Sequence, residues 1–119
     1  MPGFGELESS IMAVLWDAAR PMTVREVHQA LSRRRSLAYT TVMTVLGRLH
    51  AKGVLDRSEA TRAFSYEPVH SRADHAARLM AQALADSRDR DAALVHFVDS
   101  ISPDEEGALR AALRRRRKR

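Results

Sequence analysis

The chain contains no cysteine. That excludes a disulfide framework, a thiolate metal site and a cysteine nucleophile, and it fits a reducing compartment such as the cytoplasm. No apolar run approaches the length of a membrane span, so no membrane insertion is expected. The opening MPGFGELES has no basic stretch followed by an apolar one and does not read as a secretion signal. Glycine is scarce, five in 119 residues, and neither a glycine-rich phosphate loop nor a nucleophile elbow occurs. The histidines His28, His50, His70, His75 and His96 show no H-x-x-x-H or H-E-x-x-H spacing. His70, Asp74 and His75, with His96 as a further candidate, are the residues that could form a metal-sensing site, yet scattered histidines more often lie at the surface or cap helices. No enzyme, metal or cofactor is expected.

Positive charge is present but unevenly placed. Of the 20 basic residues six form the terminal run Arg114–Arg119, and the remaining 14 are outnumbered by 15 acidic ones. Residues 1–70 carry nine basic and seven acidic side chains, and residues 71–113 five and eight. The location of the charge is therefore more informative than its net value of +5. From Val27 to Leu55 there is no Asp or Glu, while Arg33, Arg34, Arg35, Arg48 and Lys52 are all present.

Within that stretch, Ser36 to Gly53 (SLAYTTVMTVLGRLHAKG) carries apolar Ala38, Val42, Val45, Leu46 and Leu49 at the spacing of a helix packed on a core. Gly53 suits the left-handed position after a helix, and Lys52 suits its last turn. The opposite face holds Thr40, Thr41, Thr44 and Arg48. Threonine is a mediocre helix former, and a merely solvated face usually carries Glu, Lys and Gln. Short hydroxyls allow close approach to base edges, and arginine reaches guanine or phosphate. This stretch reads as a DNA recognition helix with Thr40, Thr41, Thr44, Arg48 and Lys52 as contact residues.

The flanking sequence supplies the support. Leu7, Ile11, Val14 and Leu15 define a first helix from Gly5 to Asp17, with Trp16 as its terminal anchor. Arg20-Pro21-Met22 breaks it into a short extended link. Thr23-Val24-Arg25-Glu26 is a capping box opening a second helix that buries Val24, Val27 and Leu31 and closes on Arg33-Arg34-Arg35, a run that also suits phosphate contact. Residues 54–58 and 63–67 read as two strands, with Leu55, Phe64 and Tyr66 facing the core and Pro68 ending the second. The turn Glu59-Ala60-Thr61-Arg62 leaves Arg62 at the tip of a wing, where it would touch backbone or minor groove. The fold class expected is mainly α: a winged helix-turn-helix DNA-binding domain over residues 1–70.

After His70 three helices are expected. The first runs from a weak Ser71/Asp74 cap to about Ser87, the second from about Asp89 to Ser100, and the third from the strong signal Ser102-Pro103-Asp104-Glu105. Three short helices enclose little core of their own. Their apolar residues, Leu79, Met80, Leu84, Leu94, Val98, Leu109 and Leu113, need either a second copy or the winged helix of the same chain to cover them. A second copy is the simpler partner, which makes residues 71–113 a helical dimerisation region and the expected partners an operator duplex and a second copy of the chain. Residues 114–119 should form a frayed, solvated basic tail, since adjacent like charges repel.

Several stretches resemble the penicillinase repressor (BlaI/MecI) family of winged-helix transcriptional repressors. They are Leu7–Trp16 (LESSIMAVLW), Thr23–Val27 (TVREV), Ala38–Leu46 (AYTTVMTVL), Arg48-Leu49, Lys52-Gly53 and Thr61–Pro68 (TRAFSYEP). The resemblance covers nearly the whole chain and is most specific from Tyr39 to Gly53. It implies a homodimer that binds a palindromic operator and represses β-lactam resistance genes. It also implies a membrane metalloprotease sensor whose action leads to cleavage of the repressor at an Asn–Phe bond. Here the corresponding pair is His96-Phe97, so the phenylalanine matches and the residue before it does not. A copper-responsive branch of the family carries cysteine pairs, which this chain lacks. The competing readings are a repressor released by a metal or small ligand, and a winged helix used only as a protein-interaction module.

Overall fold

The computed structural model describes residues 5–59 and 62–119. The chain divides into two compact units, the first ending at Leu79 and the second running from Met80 to Arg119. In the first unit, α1 (Glu6–Ala18) starts just after Gly5, whose N–H donates to Glu8 Oε1 at 3.1 Å. The helix stops at Ala19, which adopts the left-handed conformation at φ 54° and donates its N–H to the Leu15 carbonyl.

The capping box at Thr23 forms as its sequence dictates. Thr23 Oγ1 accepts the Glu26 N–H at 3.2 Å, and Glu26 Oε1 accepts the Thr23 N–H at 3.0 Å, opening α2 (Val24–Ser32). That backbone N–H is the main reason the Glu26 carboxyl sits below the usual carboxylate range; desolvation opposes it and Arg20, 3.0 Å away, reinforces it. A connection follows in which His28 Nε2 contacts the Leu37 carbonyl at 2.7 Å and the His28 ring meets Tyr39 edge-on. Next come α3 (Tyr39–Ala51), β2 (Leu55–Ser58) and β3 (Ser65–Pro68). Gly53, at φ 82°, makes the turn from α3 into β2.

Three expectations change here. The link before Thr23 is itself a strand, β1 (Met22–Thr23), so the expected hairpin is a three-stranded antiparallel sheet in the order β1-β3-β2. Met22 pairs with Tyr66 and Thr23 with Ser65, giving the outer edge of β3 the partners its backbone groups require. Phe64 does not enter the core: it is 37% exposed, and the Arg57 guanidinium lies 4.1 Å from its ring centre. Ala38 is the N-cap of α3 and exposed, so the buried stripe of that helix begins at Val42. Of the expected turn Glu59–Arg62, Ala60 and Thr61 lie outside the described residues.

The core joins Ile11, Met12 and Leu15 of α1 to Met22, Val27, Leu31, Val42, Val45, Leu46, Leu49, Leu55 and Tyr66. Met12 joins the expected stripe because α1 packs against α2, α3 and β3 together, which widens its buried face. Val14 and Val24, expected on buried faces, are only partly covered.

The link from the wing to the next helix is short and fully tied. Val69 N–H donates to Val54 O, the Trp16 indole N–H donates to His70 O at 2.9 Å, and Ser71 Oγ accepts the Asp74 N–H. Arg72 pairs with Asp17 at 3.3 Å. These contacts attach the start of α4 (Arg72–Asp86) to the first compact unit, which ends within that helix. In the second unit, α5 (Arg90–Ser100) is capped by Asp89 and α6 (Pro103–Arg117) by Ser102 with Glu105. The basic tail is helical as far as Arg117, not frayed. Arginine is a good helix former, and cations in the last turn face the negative end of the dipole. No described residue of α4, α5 or α6 is buried.

Replacing the cap oxygen, Thr23→Ala, should cost about 1 kcal/mol of folding stability, read as a lower urea midpoint. The Glu26 share of the capping box is fully present above the normal glutamate pKa and is lost as the pH falls through its lowered value, so the cost of Glu26→Ala should shrink in acid.

Candidate nucleic-acid interface

The side chains of α3 divide sharply. Val42, Val45, Leu46 and Leu49 are buried, while Tyr39, Thr40, Thr41, Met43, Thr44, Arg48 and Lys52 are exposed. Among the described residues no hydrogen bond or ion pair engages the side chains of Thr40, Thr41, Thr44 or Arg48. The structure thus brings these four together on one exposed face of one rigid helix. Exposed Tyr39 and Met43 flank them, an apolar component that the polar pattern alone did not predict.

The start of α3 is unusual in this chain. Every other described helix has an acidic residue in its first turn: Glu6 and Glu8 in α1, Glu26 in α2, Asp74 in α4, Asp91 in α5 and Asp104, Glu105 and Glu106 in α6. In α3 the first turn has no acid, and Ala38 supplies no side-chain cap. The first N–H groups and the positive end of the dipole are left available to an external anion.

Lys52 is differently placed from Arg48. Its amine donates to Glu8 Oε2 at 2.9 Å, a contact across 44 positions of sequence that the acid-free run concealed. Arg62 lies exposed ahead of β3. Arg57, on β2 and held over Phe64, is a second wing cation missed by sequence reasoning, because its stacking partner was assigned to the core. Arg33 and Arg34 are exposed at the end of α2, and Arg35 lies 4.0 Å from Glu6.

Of the histidines weighed as metal ligands, His70 and His75 are occupied otherwise, and His96 lies exposed on α5. His70 Nδ1 lies 3.0 Å from Asp74 Oδ2, Arg78 shares that carboxylate, and the His75 ring tilts against Trp16 at 5.5 Å. Among the described residues no three His, Cys, Asp or Glu side chains gather as a metal-binding group. No described helix is long and apolar enough to cross a membrane.

Three helices, a small antiparallel sheet with a wing, and a hydroxyl-and-arginine face on the third helix define a protein of the winged-helix class. The chain belongs to the penicillinase repressor family, whose model matches residues 4–115. The transcriptional regulator BlaI of Mycobacterium tuberculosis is 54% identical over 112 residues, which is 92% of this chain and 81% of that protein. The solved DNA-binding domain of the repressor BlaI matches with a TM-score of 0.54 and 30% identity, over 61% of this chain and 88% of that one. The Bacillus licheniformis BlaI monomeric form in complex with the blaP half-operator matches with a TM-score of 0.52 and 30% identity, over the same shares. These relatives are transcriptional regulators, not enzymes.

Proposed function

We propose that this chain is a transcriptional repressor that binds operator DNA by laying α3 in the major groove. The observation that carries the reading is the face of Thr40, Thr41, Thr44 and Arg48, exposed and without a side-chain hydrogen bond or ion pair among the described residues, on a helix whose other side is core. The uncapped, acid-free start of α3 adds a site for a backbone phosphate. Arg62 and Arg57 contact the duplex from the wing, and Arg33 and Arg34 reach phosphate beside it. The half-operator bound by the Bacillus licheniformis relative supports the same mode here.

The protein acts as a homodimer on a palindrome, and α4 to α6 supply the contact between copies. Met80, Leu94, Val98 and Leu113 are exposed in the single chain, and Leu79, Leu84 and Leu109 are half-buried. Each such side chain contributes about 1.5–3 kcal/mol on full burial, enough in sum to favour association. Val95, 59% exposed, and Phe97 belong to the same apolar set. Two linked half-site contacts gain the effective concentration that one alone lacks.

Derepression follows cleavage between His96 and Phe97 by a membrane metalloprotease system that senses β-lactams. The bond lies in the middle of α5, so a protease must first open the helix into an extended strand. The cut would separate α6 from α4 and remove part of the apolar face, leaving α3 intact.

Arg48→Ala should weaken operator binding, and Thr41→Ala or Thr44→Ala should relax base preference, each by ~1–3 kcal/mol, in titrations against variant duplexes. Three variants indistinguishable from the parent would remove α3 from the interface. Placing a charge in the apolar set, Leu94→Asp or Val98→Asp, should convert dimer to monomer in sedimentation and depress palindrome affinity more than half-site affinity. Mass spectrometry of the repressor from β-lactam-treated cells should find a fragment ending at His96. Intact chain throughout derepression would exclude cleavage.

A further inference from the structure

Both oxygens of Glu8 are committed. Oε1 accepts the Gly5 N–H at 3.1 Å and Oε2 accepts from Lys52 Nζ at 2.9 Å. The Glu8 side chain is only 17% exposed, against 54% for Lys52. Its carboxyl is held below the usual range, first by the Lys52 hydrogen bond and then by the Gly5 N–H, with Arg48 contributing from further away. It is therefore ionised throughout the neutral range. Residues 27–55 contain no acid, and the packing of α1 against α3 delivers one carboxylate to the C-terminal end of that stretch.

Arg48 in the last turn of α3 and Lys52 at its C-cap stand four residues apart, and Glu8 treats them differently. It takes the lysine amine into a direct contact and leaves the arginine with no ion pair among the described residues. The two cations also differ chemically. A guanidinium can pair bidentately with guanine, whereas an ammonium is a point charge whose main service to DNA is sequence-independent attraction to phosphate. Removing one phosphate contact lowers affinity for all duplexes alike, so what remains depends more on base contacts.

We infer that Glu8 is a specificity-determining positioning residue: it holds Lys52 against α1 and withholds its charge from the DNA backbone. This rests on the DNA-binding reading above. The opposite arrangement, in which Glu8 aims Lys52 at a phosphate, makes the reverse prediction.

Glu8→Gln in the full chain separates the two, because glutamine keeps the size and an acceptor for the Gly5 N–H while losing the charge. Affinity is measured by fluorescence anisotropy, across a salt series, for a random-sequence duplex and for a duplex selected in vitro by the parent protein. The variant should bind the random duplex several times more tightly. Its plot of log affinity against log salt should steepen by about 0.9 per protomer, and its preference for the selected duplex should fall. Adding Lys52→Gln to the variant should restore the parental slope, which a merely structural role for Glu8 would not do. An unchanged slope, or weaker binding to both duplexes by a folded variant, overturns the inference. If circular dichroism finds Glu8→Gln unfolded, Lys52→Gln alone decides. A parental slope then supports the inference, and a slope shallower by about 0.9 per protomer overturns it by revealing an existing phosphate contact. A parent protein that selects no sequence at all would instead refute the DNA-binding reading itself.

Discussion

The burial of Val42, Val45, Leu46 and Leu49 between α1, α2 and β2 is the constraint on which the rest of the first unit depends. Those four side chains fix the rotation of α3 about its own axis, and with it the direction of every residue on the opposite face. Had the apolar stripe been shifted by one position, Thr41 and Thr44 would turn toward the core and their hydroxyls would be buried without partners. The surrounding elements serve this one orientation: α1 packs on α3 from one side, β2 closes its C-terminal end through Gly53, and the His28 contact with Leu37 fixes the segment that enters it.

Interactions between neighbours in sequence were the easiest to read in advance. The capping boxes at Thr23 and Ser102 are set by residues three apart, and both form. The buried stripe of α3 and the three C-terminal helices follow from periodicity, as does the exposed hydroxyl face. Contacts between distant residues were not legible. Nothing in Met22-Thr23 announces a strand until β3 supplies an edge for it. Phe64 has the composition of a core residue, but the hairpin leaves it outside, where Arg57 covers it. The partner of Lys52 lies 44 positions away, so an acid-free run in one dimension did not mean an acid-free surface in three.

The two units obey different physics. The first has a closed core and sheet hydrogen bonds of its own. The second has well-capped helices but no buried described residue, so its helices owe their order to local capping, ion pairs such as Arg110–Glu106, and whatever covers their apolar side chains. Under the dimer proposed here, folding of that region and association are one equilibrium, and its stability depends on protein concentration. The proposed cut within α5 would then act on the more weakly held part of the chain, leaving the winged-helix core untouched.

The bare start of α3 has a consequence for anyone seeking a sturdier version of this protein. Ala38 occupies a cap position where serine or aspartate would satisfy free N–H groups, and the first turn lacks the acid that each of its sister helices carries. A search for heat-resistant variants in the absence of a polyanion would find that vacancy early and fill it. Each filled cap would occupy or repel at the point where the proposed ligand arrives. The proposed site thus depends on what the sequence leaves undone, and thermal robustness alone would be a misleading criterion for improving the molecule.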